Sequence, residues 1–346
     1  MNREDRIVAL AARQDFLQEH RAAVEALAGG HAVRWDRLAA GAARHGVLPI
    51  VGANLRACDA AALGLPAEVA TRLEVAMLEN AAVRERDAAR LAIGLARLRE
   101  VELDALLLKG AALAFSVYRE PWVVSSLDID LCLRPGPGWQ KGKGEEKEVR
   151  KALYTHGVEC DLETHHDVTM NGVLPIDFPR VWREARRVRF RGVEAWVMSP
   201  EDQMIALCVG VCRKFRLKAL FDVAETLRRG EALDPARLAA LAREGRCEGI
   251  VYAGLLAARG VLGAEVPAGL LESLKPPRFQ AARVRAVLAA GLRLASFTRG
   301  STRPLALALT YASLRPREAW RSFLFRVRNP PRHRGEDPLA PADAVA

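Results

Sequence analysis

Strand-like sequence is confined to the middle of this 346-residue chain, and helical patterning brackets it on both sides. From Arg6 to about Arg97 apolar residues recur at helical spacing in stretches rich in Ala, Leu and Arg, broken by Gly29-Gly30 and by the turn from Gly46 to Pro49. The period returns after Ser199-Pro200-Glu201-Asp202, where a capping serine, a proline at the first helical position and two acids in the first turn start a helix; it continues to about Arg328. Between these regions the run VELDALLL (101–108) predicts a buried strand feeding a helix at Lys109-Gly110, and residues 127–133 predict a second strand. Residues 158–170 alternate as a strand does, and residues 188–197 predict a hairpin turning at Arg191-Gly192. Residues 134–147 concentrate Pro, Gly and charge, which predicts an exposed loop leading into a short helix that ends near Gly157. The reading is an α+β fold: a small mixed β-sheet core (98–200) flanked by an N-terminal helical region (1–97) and a C-terminal one (201–329), with a Pro-rich, disordered tail (330–346).

A composition of 50% hydrophobic and 27% charged residues excludes disorder as the main state. The net charge of +10 would attract an anionic partner at low salt, but is too mild to establish nucleic-acid binding. Cys58, Cys132, Cys160, Cys208, Cys212 and Cys247 sit in apolar contexts without a C-x-x-C pair, so they read as buried free thiols of a reducing compartment. The N-terminus lacks an apolar signal region and no apolar run approaches the roughly 18–20 residues of a membrane span, which places the protein in the cytoplasm.

Asp128-Ile129-Asp130 carries the chemical signal. Side chains alternate along a strand, so Asp128 and Asp130 share one face while Leu127, Ile129 and Leu131 point into the core. Adjacent carboxylates repel and need a cation between them; magnesium, held by carboxylates and substrate phosphates, is the natural choice. By the same parity Asp161, Glu163 and His165 share a face of the later strand. If the two strands are neighbours, a third carboxylate meets the Asp pair, and three carboxylates can hold two metals that clamp a transferring phosphoryl group. Lys109-Gly110, at a strand-to-helix turn, offers backbone N–H groups and the positive end of a helix dipole to phosphates. Its ammonium reads equally as a phosphate contact or as a snorkelling surface group.

The segment LLLKGAALAFSVYREPWVVSSLDIDLCL closely resembles the "lllKGaal…lY…DiDlLv" signature of a bacterial nucleotidyltransferase family in the DNA-polymerase-beta-like superfamily. RWDRLAAGAARHGVLPI resembles that family's N-terminal helix pair, DLETHHDV its E-l-H-w strand, and SPEDQMIALCVGVCRKFRLKALFDVAETLRR its later helices, so the likeness covers about residues 30 to 230. It implies a nucleotidyltransferase core with Asp128, Asp130 and Glu163 as catalytic metal ligands for two Mg2+ ions, and Glu163 nearest the acceptor hydroxyl. The implied reaction moves a nucleoside monophosphate from an NTP to a hydroxyl or phosphate on a small molecule, sugar or peptide and releases pyrophosphate. Glu163 is preferred over Asp161 because E-x-H fits the family pattern. The sequence departs from the superfamily in having Lys109-Gly110 where Gly-Ser is usual. It also has Val123-Val124-Ser125-Ser126 where many members carry an Arg before the Asp pair. Ser125 or Ser126 could replace that Arg as a hydrogen-bonding phosphate contact. Arg213, Lys214 and Lys218 lie on a helix that the family places over the site, where they would bind triphosphate or form a solvated face, with Asp222 available to pair with one of them.

Other residues have plainer readings. His165 is a metal ligand, an orienting group for Glu163 or a polar strand residue, and His45 is structural. From Arg283 to Arg334 twelve Arg stand against the single acid Glu318, and ASLRPREAWRSFLFRVR suits an anionic membrane surface, RNA or a packing helix. The alternative function is therefore a catalytically degenerate transferase fold that binds an anionic partner.

Overall fold

The computed structural model describes residues 1–30, 32–100, 103–124, 129–134, 162–165, 173–230, 232–294 and 296–328, with residues 115, 121, 162–165, 268 and 294 described by their backbone alone. Helices α1 (Arg3–Ala11), α2 (Gln18–Ala28), α3 (Trp35–Arg44), α4 (Leu48–Arg56), α5 (Ala60–Leu63) and α6 (Ala67–Glu100) precede the sheet. The 34 residues of α6 contain no proline, and Ala, Leu, Glu and Arg dominate them, so nothing interrupts a helix about 51 Å long. Its length gives it two jobs. Val69 and Leu73 near its start are buried in the helical bundle, whereas Leu91, Leu95 and Leu98 near its end are buried against the sheet.

Among the described residues the sheet has five strands in the order β3-β2-β1-β5-β4: β1 (Asp104–Leu107), β2 (Ile129–Arg134), β3 (Leu162–His165), β4 (Arg186–Phe190) and β5 (Val193–Val197). Strand β1 runs antiparallel to β2 and parallel to β5, and β2 runs parallel to β3. The hairpin turns at Arg191-Gly192, both with positive φ, as its sequence predicts. Alternation sorts the strand residues cleanly. Ala105, Leu107, Ile129, Leu131, Ala195 and Val197 face α6, while Leu106, Leu108 and Cys132 pack with Val181, Trp182 and Met198 on the other side.

From β1 the chain turns into α7 (Lys109–Ser116) and then a short turn of 3-10 helix at Pro121–Val123. After α8 (Phe178–Arg183) and the hairpin come α9 (Pro200–Lys214), α10 (Leu217–Arg229), α11 (Pro235–Glu244), α12 (Glu248–Leu262), α13 (Ala268–Leu274), α14 (Arg278–Leu294), α15 (Arg303–Ser313) and α16 (Pro316–Arg328). Ser199 caps α9 as expected, its Oγ accepting from Asp202 N at 3.2 Å. The N-terminal and C-terminal helices share one hydrophobic core that runs from Ile7 to Leu314 and takes in Leu113, Val117, Tyr118, Val123 and Val124 from the α7 segment. That segment is thus wedged between the bundle and the sheet.

Cys58, Cys208, Cys212 and Cys247 are buried free thiols and Cys132 is buried as well; burial pushes Cys58 up to about 11 and Cys212 and Cys247 up to about 12, which leaves these three unreactive at neutral pH. Among the described residues no helix is long and apolar enough to cross a membrane. Of the expected 134–147 loop, Arg134 is instead the last residue of β2; the remainder, the helix ending near Gly157, Cys160 and the 330–346 tail lie outside the described residues.

Candidate active site

The site is built at the end of β1, where the chain reverses from strand to helix. Leu108 N donates to Asp130 O at 3.0 Å, continuing the β1–β2 ladder by one residue, and the next residue, Lys109, turns the chain with φ at +47°. A left-handed conformation in a non-glycine residue costs roughly 1 kcal/mol or more, so the surrounding structure must hold it. What it achieves is an ion pair. Lys109 Nζ donates to Asp130 Oδ1 at 2.7 Å, with the carboxylate side chain 6% exposed and the lysine 42% exposed. The Lys109 ammonium thus lies half-exposed against a nearly buried carboxylate. Helix α7 has no side-chain cap at its N-terminus, so the positive end of its dipole lies beside this pair.

Register brings the third residue in. Strands β2 and β3 pair in parallel with Asp130 opposite Glu163 and Cys132 opposite His165, and register partners in a parallel pair share a face of the sheet. The neighbouring strands that the parity argument required are present. Asp128, Ser125, Ser126 and Asp161 lie outside the described residues, and Glu163 and His165 are described by backbone alone. Among the described residues no group of three or more His, Cys, Asp or Glu gathers as a metal cluster would.

Three side chains, Tyr118, Gln14 and Asn80, make hydrogen bonds in or to residues 117–122 after α7, and the sequence reading assigned none of them a role. Tyr118 OH donates to Asp222 Oδ1, while Lys218 Nζ donates to Asp222 Oδ2 at 2.8 Å. Burial and the Asp222 charge hold the Tyr118 phenol well above its ordinary range, so it stays a donor. Gln14 Nε2 donates to Val117 O at 3.3 Å and to Glu225 Oε2 at 2.9 Å, and its Oε1 accepts from Arg119 N at 2.7 Å. Asn80, mid-way along α6, donates to Trp122 O at 2.7 Å. The available signal for Asn80 was that it is the one side-chain amide among the 34 residues of α6. Gln14 offered no comparable signal.

The cations proposed for the triphosphate are spread differently from Lys109. Lys218 is engaged with Asp222, the pairing that its i, i+4 spacing permits. Arg213 and Lys214 stand exposed on the last turn of α9, a helix that packs against α7. At the opposite end of β1 a groove is lined by Arg99, Asp104, Arg187, Glu194 and Trp196. Its charges are of both signs, with Arg99 paired to Glu194 at 3.4 Å, so it is poorly suited to a polyanion.

Residues 31–263, more than half of the chain, match the model of a family described as uncharacterised nucleotidyltransferase. The chain belongs to that family. Membership supports a general nucleotidyltransferase activity with an NTP as substrate, in a family whose chemistry generally uses a divalent metal. No curated protein and no solved structure matches the chain. The matched span contains the β1–α7 corner, both Asp positions and Glu163.

Proposed function

We propose that this nucleotidyltransferase moves a nucleoside monophosphate from an NTP to a hydroxyl or phosphate acceptor on a small molecule, sugar or peptide, and releases pyrophosphate. The observation that carries the reading is the parallel β2–β3 register, with Glu163 opposite an Asp130 already matched by a cation. A nearly buried carboxylate that the fold supplies with an ammonium is a position that demands positive charge, and carboxylate oxygens are hard donors that suit magnesium. Asp128, Asp130 and Glu163 would hold it. When bound, the metal neutralises charge on the transferring phosphoryl group and on the leaving pyrophosphate.

The protein's own residues do the rest. The acceptor oxygen attacks the α-phosphorus, a hydroxyl acceptor giving up its proton to solvent; the bond from that phosphorus to the bridging oxygen breaks, and pyrophosphate leaves with the electron pair. Glu163 stands nearest the acceptor hydroxyl in this assignment. Lys109, half-exposed at the uncapped start of α7, brings its ammonium and the first-turn N–H groups of Lys109 and Gly110 to the phosphates. Ser125 and Ser126, which follow Val124 in the sequence, are assigned as hydroxyl contacts, and Arg213, Lys214 and Lys218 as the outer cations.

The test is calorimetric titration with each of the four NTPs, with and without magnesium, on wild type and on the Asp128→Asn/Asp130→Asn variant. Magnesium-dependent binding of an NTP that the double variant loses is the expected result. Equal binding by wild type and variant would overturn the site assignment, and a wild type that binds no NTP would favour the degenerate, non-catalytic reading.

A further inference from the structure

Helix α16 packs inside out. Its buried residues are Glu318 (1% exposed) and Ser322 (3%), and Glu318 accepts from Arg246 Nη1 at 3.3 Å. Three of its large apolar residues face away, Trp320 at 60% exposed, Phe323 at 47% and Val327 at 61%, while Leu324 and Phe325 are half-buried. These three fall at i, i+3 and i+7, one stripe of the helix. Exposed Arg317, Arg321 and Arg328 run along one margin of the stripe, and exposed Arg326 lies on the other. Rotating the helix to bury the aromatic stripe would break the Glu318–Arg246 pair and push arginines toward the core, so this outward face is set by the fold.

We propose that α16 is a peripheral docking helix for an anionic lipid surface, with Trp320, Phe323 and Val327 entering the headgroup boundary and the four flanking arginines meeting lipid phosphates. Charge selects this occupant. The one acid of the helix is buried, so the exposed face carries only positive charge, and a second copy laid against it would bring arginine to arginine. The aromatic geometry disfavours nucleic acid. Trp320 and Phe323 are already stacked, centroids 5.5 Å apart and planes 23° from parallel, so one ring face of each is closed to a base, whereas acyl chains and headgroups require only apolar area beside cations. The proposal does not depend on the nucleotide site.

Full-length protein is floated with vesicles of phosphatidylcholine alone or with about 30% phosphatidylglycerol, and tryptophan emission is recorded. Flotation with the anionic vesicles is expected, with a blue shift, and it should weaken as salt rises from about 0.1 M to about 0.5 M. Trp320→Ala/Phe323→Ala, both at exposed positions, should lower partitioning by about tenfold or more, and Arg317→Gln/Arg321→Gln should lower it on anionic vesicles. Absence of flotation at low salt, or equal partitioning by the aromatic variant, overturns the proposal. So would binding of a single-stranded RNA oligomer, or a dimer in sedimentation equilibrium, that the aromatic variant abolishes while vesicles are ignored.

Discussion

At the scale of single residues, the central pair is Lys109 and Asp130. Asp130→Asn keeps the size of the side chain and removes its charge, and the half-exposed Lys109 ammonium can turn to water, so folding should survive. Its melting temperature is expected within about 4 °C of wild type, while pyrophosphate release falls about a thousandfold. Retained turnover in a coupled pyrophosphate assay would remove Asp130 from the chemistry. The strand face of Asp130 was legible from the sequence because alternation along a strand is local, and the D-x-D sits in an apolar run. The partner of Asp130 was not, because an ion pair across 21 residues depends on how sharply the chain turns at Lys109.

At the scale of elements, helix packing is set where backbones come closest. A Cβ added at Gly249 in α12 would stand 2.3 Å from Ser313 O, at the end of α15, and 2.6 Å from Gln280 Nε2 of α14. Gln280 Nε2 itself donates to Ser313 O at 2.6 Å, so the methyl would strike a hydrogen bond joining two helices. Gly249→Ala should destabilise the fold by about 1–3 kcal/mol in urea unfolding, because a backbone carbonyl cannot swing aside as a side chain can. Local signals served well here: the Ser199 cap and the Arg191-Gly192 turn each involve neighbours in sequence and appear where the sequence placed them. Asn80 shows the limit, since its contact with Trp122 O exists only because α6 runs unbroken past the α7 segment.

At the scale of the whole molecule, N- and C-terminal helices close on each other through a few buried polar contacts. Asp5 accepts from Thr298 N and from Thr298 Oγ1, both at 2.9 Å. His45, at the end of α3, accepts from Leu217 N through Nδ1 at 3.3 Å and from Lys218 N through its carbonyl at 3.1 Å, and lies edge-on to Phe297 at 5.1 Å. Burial, then the Arg216 and Arg44 charges, lowers the His45 imidazole from 6.5 to about 4. The unfolded chain therefore binds a proton between these values that the folded one refuses, and stability should be full above about pH 6.5 and fall as pH drops toward about 4. The loss has an upper bound of roughly 3 kcal/mol, and His45→Gln should flatten that part of the profile. An unchanged slope in the variant would locate the acid sensitivity elsewhere.

Strand alternation, helix periodicity and caps depend on neighbours along the chain, so the α+β class, the helical flanks and the strand position of Asp130 followed from the sequence alone. The order of the strands, the register that sets Glu163 opposite Asp130 and the outward turn of the α16 aromatic stripe did not. Each depends on which distant surfaces meet: a parallel register is set across a crossover, and a helix with two apolar-compatible faces is oriented by the partner that claims one of them. For α16 that partner was Arg246, which took Glu318 inward and left Trp320 and Phe323 to the outside.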